Sequence, residues 1–151
     1  MLGNKGFMDN PVLDTEVEIL KLQSGGFKFT ARAVLKSASC AIPVIVLSEE
    51  LVEKLKTDGQ VFIEGIRGKV NGATDWGTTA TITLETTATS PVTIATIATT
   101  GLDANVVVST HQFTYGAGLG DLNAAGKGVQ VKGDANGTGS DLIVTIWGVV
   151  K

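Results

Sequence analysis

The sequence predicts a mainly β protein: an antiparallel β-sandwich or jelly-roll-like fold with one short α-helix and an extended N-terminal arm. Three observations predict it. The 151 residues include 19 Gly and 19 Thr, with 43% hydrophobic and 18% charged residues, a balance that suits neither a disordered chain nor a coiled coil. Several segments alternate apolar and polar residues with a period of two, as strands with one wet face require. Gly, Asn, Asp and Pro separate these segments at spacings of about eight to twelve residues, the rhythm of a sandwich. The length fits one domain with or without an appendage.

Residues 1–14 have no period and hold two glycines and a proline, so they read as an extended arm. A frayed terminus is normally polar, whereas this one carries Leu2, Phe7, Met8, Val12 and Leu13, which are candidate contacts with another surface or subunit. From Thr15, Val17 and Ile19 alternate with Glu16 and Glu18. After Gln23-Ser24-Gly25-Gly26, the series Phe27, Phe29, Ala31, Ala33, Leu35 alternates with Lys28, Thr30, Arg32 and Lys36. The two runs predict a β-hairpin. Residues 40–47 are apolar on both faces and predict a covered strand, which Pro43 confines to an edge or a bulge.

One helix is predicted over about 48–57. Ser48 offers an N-cap hydroxyl, Glu49 and Glu50 occupy the first turn, and Lys54 and Lys56 the last, matching the helix dipole. Leu47, Leu51 and Leu55 share a face, and Gly59 stands where a left-handed C-cap residue is wanted. Val61 to Ile66 returns to strand, and 67–75, with Gly68, Asn71 and Gly72, reads as a loop or linker. Twelve threonines lie between Thr74 and Thr100, in β-branched runs at 79–84 and 92–99 that suit half-covered strands. Further strands are expected at 104–109, 112–115, 128–132 and 141–150. The last is apolar on both faces, so it should be paired on both sides near the centre of the fold. The chain thus divides into the arm (1–14), a hairpin-and-helix front part (15–70) and a Thr/Gly-rich sandwich part (71–151), with 15–151 as one continuous domain the alternative.

The net charge is −3, and the basic residues are scattered singly, so neither nucleic acid nor an anionic membrane is an expected partner. Asn4, Lys5, Asp9, Asn10 and Asp14 fall where the apolar stretch of an export signal would lie. Cys40 and His111 are each alone, which excludes an internal disulfide and disfavours a zinc site; Cys40 reads as a small buried hydrophobe. The stretch from Gly116 to Gly128 fits neither glycine fingerprint. Five residues, not four, separate Gly120 from Gly126-Lys127, Gly128 follows where Ser or Thr should, and no helical pattern follows Gly116, Gly118 and Gly120. Asp75 and His111 stand near aromatics, but no convergent acid–base set is visible. Asp134, Asn136 and Asp141 offer oxygens to calcium without the closing bidentate Glu. No catalytic, cofactor or metal residues are therefore assigned.

The stretch Ala125-Gly126-Lys127-Gly128-Val129-Gln130-Val131-Lys132-Gly133, followed by a Gly/Asn/Thr turn and Ser140-Asp141-Leu142-Ile143-Val144-Thr145-Ile146-Trp147-Gly148-Val149-Val150-Lys151, resembles the closing strands of small β-rich structural proteins of tailed-phage virions. These are the capsid decoration and head-fibre type, and the Thr-rich runs at 78–84 and 92–102 resemble them too. The resemblance covers residues 74–151. It implies a non-enzymatic virion protein, made in the host cytoplasm and located on the capsid surface. Such a protein binds the major capsid protein or other virion proteins, stabilises the shell and assembles as a homotrimer. The front part would face the shell and the Thr/Gly-rich part would face outward. A tail or head-fibre component is the alternative within that class. From other classes, a carbohydrate-binding sandwich would need exposed aromatics, for which Trp76 and Tyr115, with Trp147, are the candidates. A small hydrolase would need two carboxylates facing across a cleft.

Overall fold

The structure is a computed structural model that describes residues 15–21, 26–72, 74–76, 81–97, 107, 108, 114, 115 and 126–151. In chain order, the strands among these residues are β1 (Thr15–Lys21), β2 (Phe27–Leu35), β3 (Val44–Leu47), β4 (Val61–Asn71), β5 (Ile82–Thr86), β6 (Thr93–Ile97), β7 (Val107–Val108), β8 (Thr114–Tyr115), β9 (Val129–Gly133) and β10 (Asp141–Val150). A helix, α1 (Glu49–Lys56), joins β3 to β4. The strands form two five-stranded antiparallel sheets, β1-β2-β10-β4-β7 and β3-β9-β5-β6-β8. The predicted mainly β, two-sheet architecture is therefore what the residues build.

The period-two alternation sets the layers. Phe29, Ala31, Ala33 and Leu35 of β2 and Leu142, Val144 and Ile146 of β10 are buried. So are Ile63, Ile66 and Val70 of β4, together with Val46, Leu47, Ile82, Leu84, Ile94, Ile97, Val129 and Val131 of the second sheet. All belong to one core cluster, and each Val, Leu, Ile or Phe among them contributes about 1.5–3 kcal/mol of burial. The outward positions of β2 are Lys28, Thr30, Arg32 and Val34, of which Lys28 is exposed and the others half-buried.

The helix forms as predicted at its N-terminus. Ser48 Oγ accepts from the Leu51 amide at 3.2 Å, and Val52 and Leu55 face the core. Its C-terminus differs. Thr57 ends it in the right-handed conformation, its hydroxyl donating to the Lys54 carbonyl at 2.7 Å. Gly59 serves another purpose: its φ is +149°, and a Cβ there would press on Lys151 at 2.8 Å. At that point Gln60 and Lys151 exchange two backbone hydrogen bonds of 3.1 Å.

Two strand boundaries move. The strand expected over 40–47 begins only at Val44, because Pro43 has no N–H to donate to a ladder. The residues before it turn instead through a 3-10 segment, Ser37–Ser39. They are bonded to the end of β9 and the loop that follows it: the Gly133 amide donates to the Cys40 carbonyl at 2.7 Å, Cys40 Sγ to the Ala135 carbonyl at 2.9 Å, and the Ala41 amide to Asn136 Oδ1 at 3.0 Å. As Pro43 implied, β3 lies at a sheet edge, but the segment is not covered throughout: Val46 and Leu47 are buried, whereas Ile42 before the strand is 67% and Ile45 within it 44% exposed. Conversely, the loop expected from residue 67 is strand as far as Asn71. Gly68, one of the residues that suggested a loop, costs roughly 0.5–1 kcal/mol in a strand, and the continuous ladder to β10 with burial of Ile66 and Val70 outweighs it.

β10 lies between β2 and β4, pairing with both along its length, in the centre of its sheet as its two apolar faces required. Strands from before and after residue 70 interleave: β10 joins the first sheet, and β3 pairs with β9 in the second. The front and Thr/Gly-rich parts are therefore not separate layers, and the expectation that one faces a shell while the other faces away has no counterpart in the sheet order.

Candidate functional site

The outward face of the first sheet is built by register. Leu20, Lys28, Val149 and Phe62 stand in one row across four strands. The next row is Glu18, Thr30, Trp147 and Gly65, and beyond it come Arg32, Thr145 and Arg67, then Val34, Ile143 and Lys69. An antiparallel sheet with one face in water should be polar on that face, yet Phe62 and Leu20 are 39% and 52% exposed. Trp147, Val149, Ile143 and Val34 are half-buried. At the centre, a Cβ on Gly65 would fall on the Cζ2 and Cε2 atoms of the Trp147 indole. Glycine is thus what lets the indole cross from β10 onto β4, beside the register shift between Trp147 and Gly148. The indole borders a depression of about 340 Å³ lined by Lys28, Thr30, Arg67, Thr145 and Trp147. Among the described residues, Lys28 and Arg67 make no ion pair.

A second surface is the lateral side where both sheets end. β1 is the outermost strand of the first sheet and β3 of the second, and the two are in contact. Leu20, Ile42 and Ile45 are exposed along this side. Nearby, a groove of about 240 Å³ runs between the hairpin and α1, lined by Ile19, Phe27, Leu51, Lys54, Leu55, Thr57 and Asp58.

Of the residues singled out in the sequence, Leu2, Phe7, Met8, Val12 and Leu13 lie outside the described residues. Trp76 is not an exposed aromatic: it is fully buried. The reason is its backbone setting. Ser37 Oγ donates to the Trp76 carbonyl at 3.1 Å, the Ser140 amide donates to the Asp75 carbonyl at 2.9 Å, and Gly139 packs on Asp75 and Trp76 where no Cβ would fit. Its indole Nε1 finds no acceptor among the described residues. Tyr115 pairs through its backbone with Ala95 at the edge of the second sheet, and its side chain lies outside the described residues, as does His111.

The acidic candidates are occupied by local structure. Asp134 Oδ2 accepts from the Thr81 amide at 3.2 Å, Asn136 Oδ1 from the Ala41 amide, and Asp141 Oδ1 from the Ser37 amide at 3.1 Å. These three oxygens thus cap three different backbone sites and do not converge. Among the described residues, no group of three His, Cys, Asp or Glu could hold a metal. Glu85, 4% exposed, accepts from Gln130 Nε2 at 2.8 Å and lies 3.5 Å from Lys132 Nζ, a cross-strand network that satisfies a buried carboxylate. Burial pushes the Cys40 thiol above its ordinary range, which disfavours the reactive thiolate.

Sequence reasoning named Trp147 but none of its neighbours. Lys28 and Thr30 come from the hairpin, Arg67 from a segment that reads as a loop, and only the β2-β10-β4 register gathers them. These features define a two-sheet antiparallel sandwich with uncovered apolar and aromatic surface. Comparison with protein-family models and with characterised proteins finds no match.

Proposed function

We propose that the protein is a bacteriophage virion structural protein of the capsid decoration type, which binds the major capsid protein as a homotrimer and stabilises the shell. The observation that carries this reading is the lateral side of the sandwich. There β1 and β3 are the outermost strands of the two sheets among the described residues, Leu20, Ile42 and Ile45 are exposed, and Thr15 opens the outermost strand of the first sheet. The preceding residues carry Leu2, Phe7, Met8, Val12 and Leu13, and Thr15, the first described residue after them, belongs to that edge strand. Edge strands and exposed apolar side chains are liabilities in a solitary domain and assets in one that is covered by neighbours. A strand or arm added to such an edge gains main-chain hydrogen bonds as well as side-chain burial.

The test is reconstitution. Purified protein mixed with capsids that lack it should bind to saturation and raise the melting temperature of the shell. Absence of binding to any virion particle sinks the reading. Deleting residues 1–14 should weaken attachment while the domain keeps its thermal transition.

A further inference from the structure

The depression around Trp147 combines three kinds of group. An indole supplies an apolar plane, Thr30 and Thr145 supply hydroxyls, and Lys28 and Arg67 supply charge. The indole lies against Gly65 and also borders the open depression. Among the described residues no carboxylate lines it and neither Lys28 nor Arg67 makes an ion pair, although the chain as a whole is acidic at −3.

We propose that this depression binds an acidic saccharide, with one sugar ring on Trp147 and anionic groups of its neighbours at Lys28 and Arg67. Aromatic planes hold the C–H faces of sugars by dispersion and desolvation, and hydroxyls of threonine match hydroxyls of the ligand. The spacing sets the length of the ligand. Lys28 stands opposite Val149 on one side of β10, and Arg67 opposite Thr145 on the other. With strands ~4.8 Å apart and ~3.3 Å per residue, their Cα atoms are separated by about 16 Å, so two long side chains reaching inward bracket an oligosaccharide, not a single sugar. Arg67 presents a planar fork to carboxylate or sulfate, and Lys28 a point charge. A nucleic-acid strand is the poorer fit. It needs a continuous basic track, whereas the described lining of the depression offers two cations set apart on either side of β10. The site does not depend on the virion reading and can fail or stand without it.

The test is calorimetric titration of the whole chain with tetragalacturonate, a heparin tetrasaccharide, neutral cellotetraose and the oligonucleotide dT10, alongside tryptophan fluorescence. Trp147 should report binding, since Trp76 is buried. One or both acidic tetrasaccharides should bind saturably, the carboxylated or the sulfated probe identifying the anion, and cellotetraose should bind about tenfold or more weakly. Lys28 and Arg67 are exposed, so Lys28→Gln and Arg67→Gln should keep the thermal transition and each weaken binding about tenfold. Trp147→Ala should abolish the fluorescence response and the binding. Failure of both acidic probes to bind, equal binding of cellotetraose, unchanged affinity in the two charge variants, or binding of dT10 as tight as the saccharides would overturn the proposal.

Discussion

Trp76 stands between an aspartate and a glycine in sequence, a setting that suggests an exposed turn, and nothing local marks it as core. Its burial comes from Ser37, Ser140 and Gly139, all far away in the chain. Trp76→Ala should therefore destabilise the fold by about 3–5 kcal/mol, as for other buried aromatics, read from the denaturant midpoint; a loss under 1 kcal/mol is incompatible with the buried site. Gly65 gives the complementary case. Its glycine looks like a strand breaker, yet the position is reserved for the Trp147 indole. Gly65→Val should displace that ring, cost about 1–3 kcal/mol by overpacking, and shift Trp147 emission to the red in a Trp76→Phe background. An unchanged spectrum would show that the indole does not lie across Gly65.

Elements whose signals are local were legible. The helix was readable from Ser48, Glu49, Glu50 and the Leu51/Leu55 face, and the β1–β2 hairpin from alternation around a Gly-rich turn. Elements whose existence depends on a distant partner were not: β4 continues through Gly68 to Asn71 only because β10 lies alongside it. The same limit applies to the candidate site, where one aromatic could be named but its cationic neighbours could not. The helix also carries a pH dependence with a definite sign. Glu53 accepts from Lys56 Nζ at 3.0 Å and from the Gly126 amide at 3.2 Å. The Lys56 hydrogen bond first, and then that amide, hold its carboxyl below the ordinary range. A carboxylate whose folded pKa is depressed contributes stability that is full above its unfolded pKa and lost as pH falls through the folded value. Glu53→Gln should accordingly lower the melting temperature at pH 7, and the difference should vanish by about pH 3, below the carboxylate range. Because Glu53 is on the surface, the effect should be small and weaken with salt. A Gln variant that melts lower at pH 3 as well would place the effect elsewhere.

At the scale of the molecule, β10 is the member on which the first sheet depends, since β2 and β4 each pair with it and not with one another. Removing residues 147–151 should abolish the cooperative thermal transition, with loss of the β signal in circular dichroism; a truncated chain that still melts sharply contradicts the central placement of the strand. The composition showed that the fold is β and roughly where its strands lie. The sheet order, with β10 between two strands from the first half of the chain, depends on contacts such as Ser37 to Asp141, 104 residues apart, which no local pattern encodes. That order also governs how the molecule comes into being. Contacts so distant in sequence make folding slow, and during translation the β1–β2 hairpin and β4 are made well before the strand that must join them. Each nascent chain therefore waits with edges complementary to residues 141–150 of any other copy, so rapid synthesis at high concentration favours exchange of that strand between chains, and slow synthesis at low temperature favours the sandwich closed by its own strand.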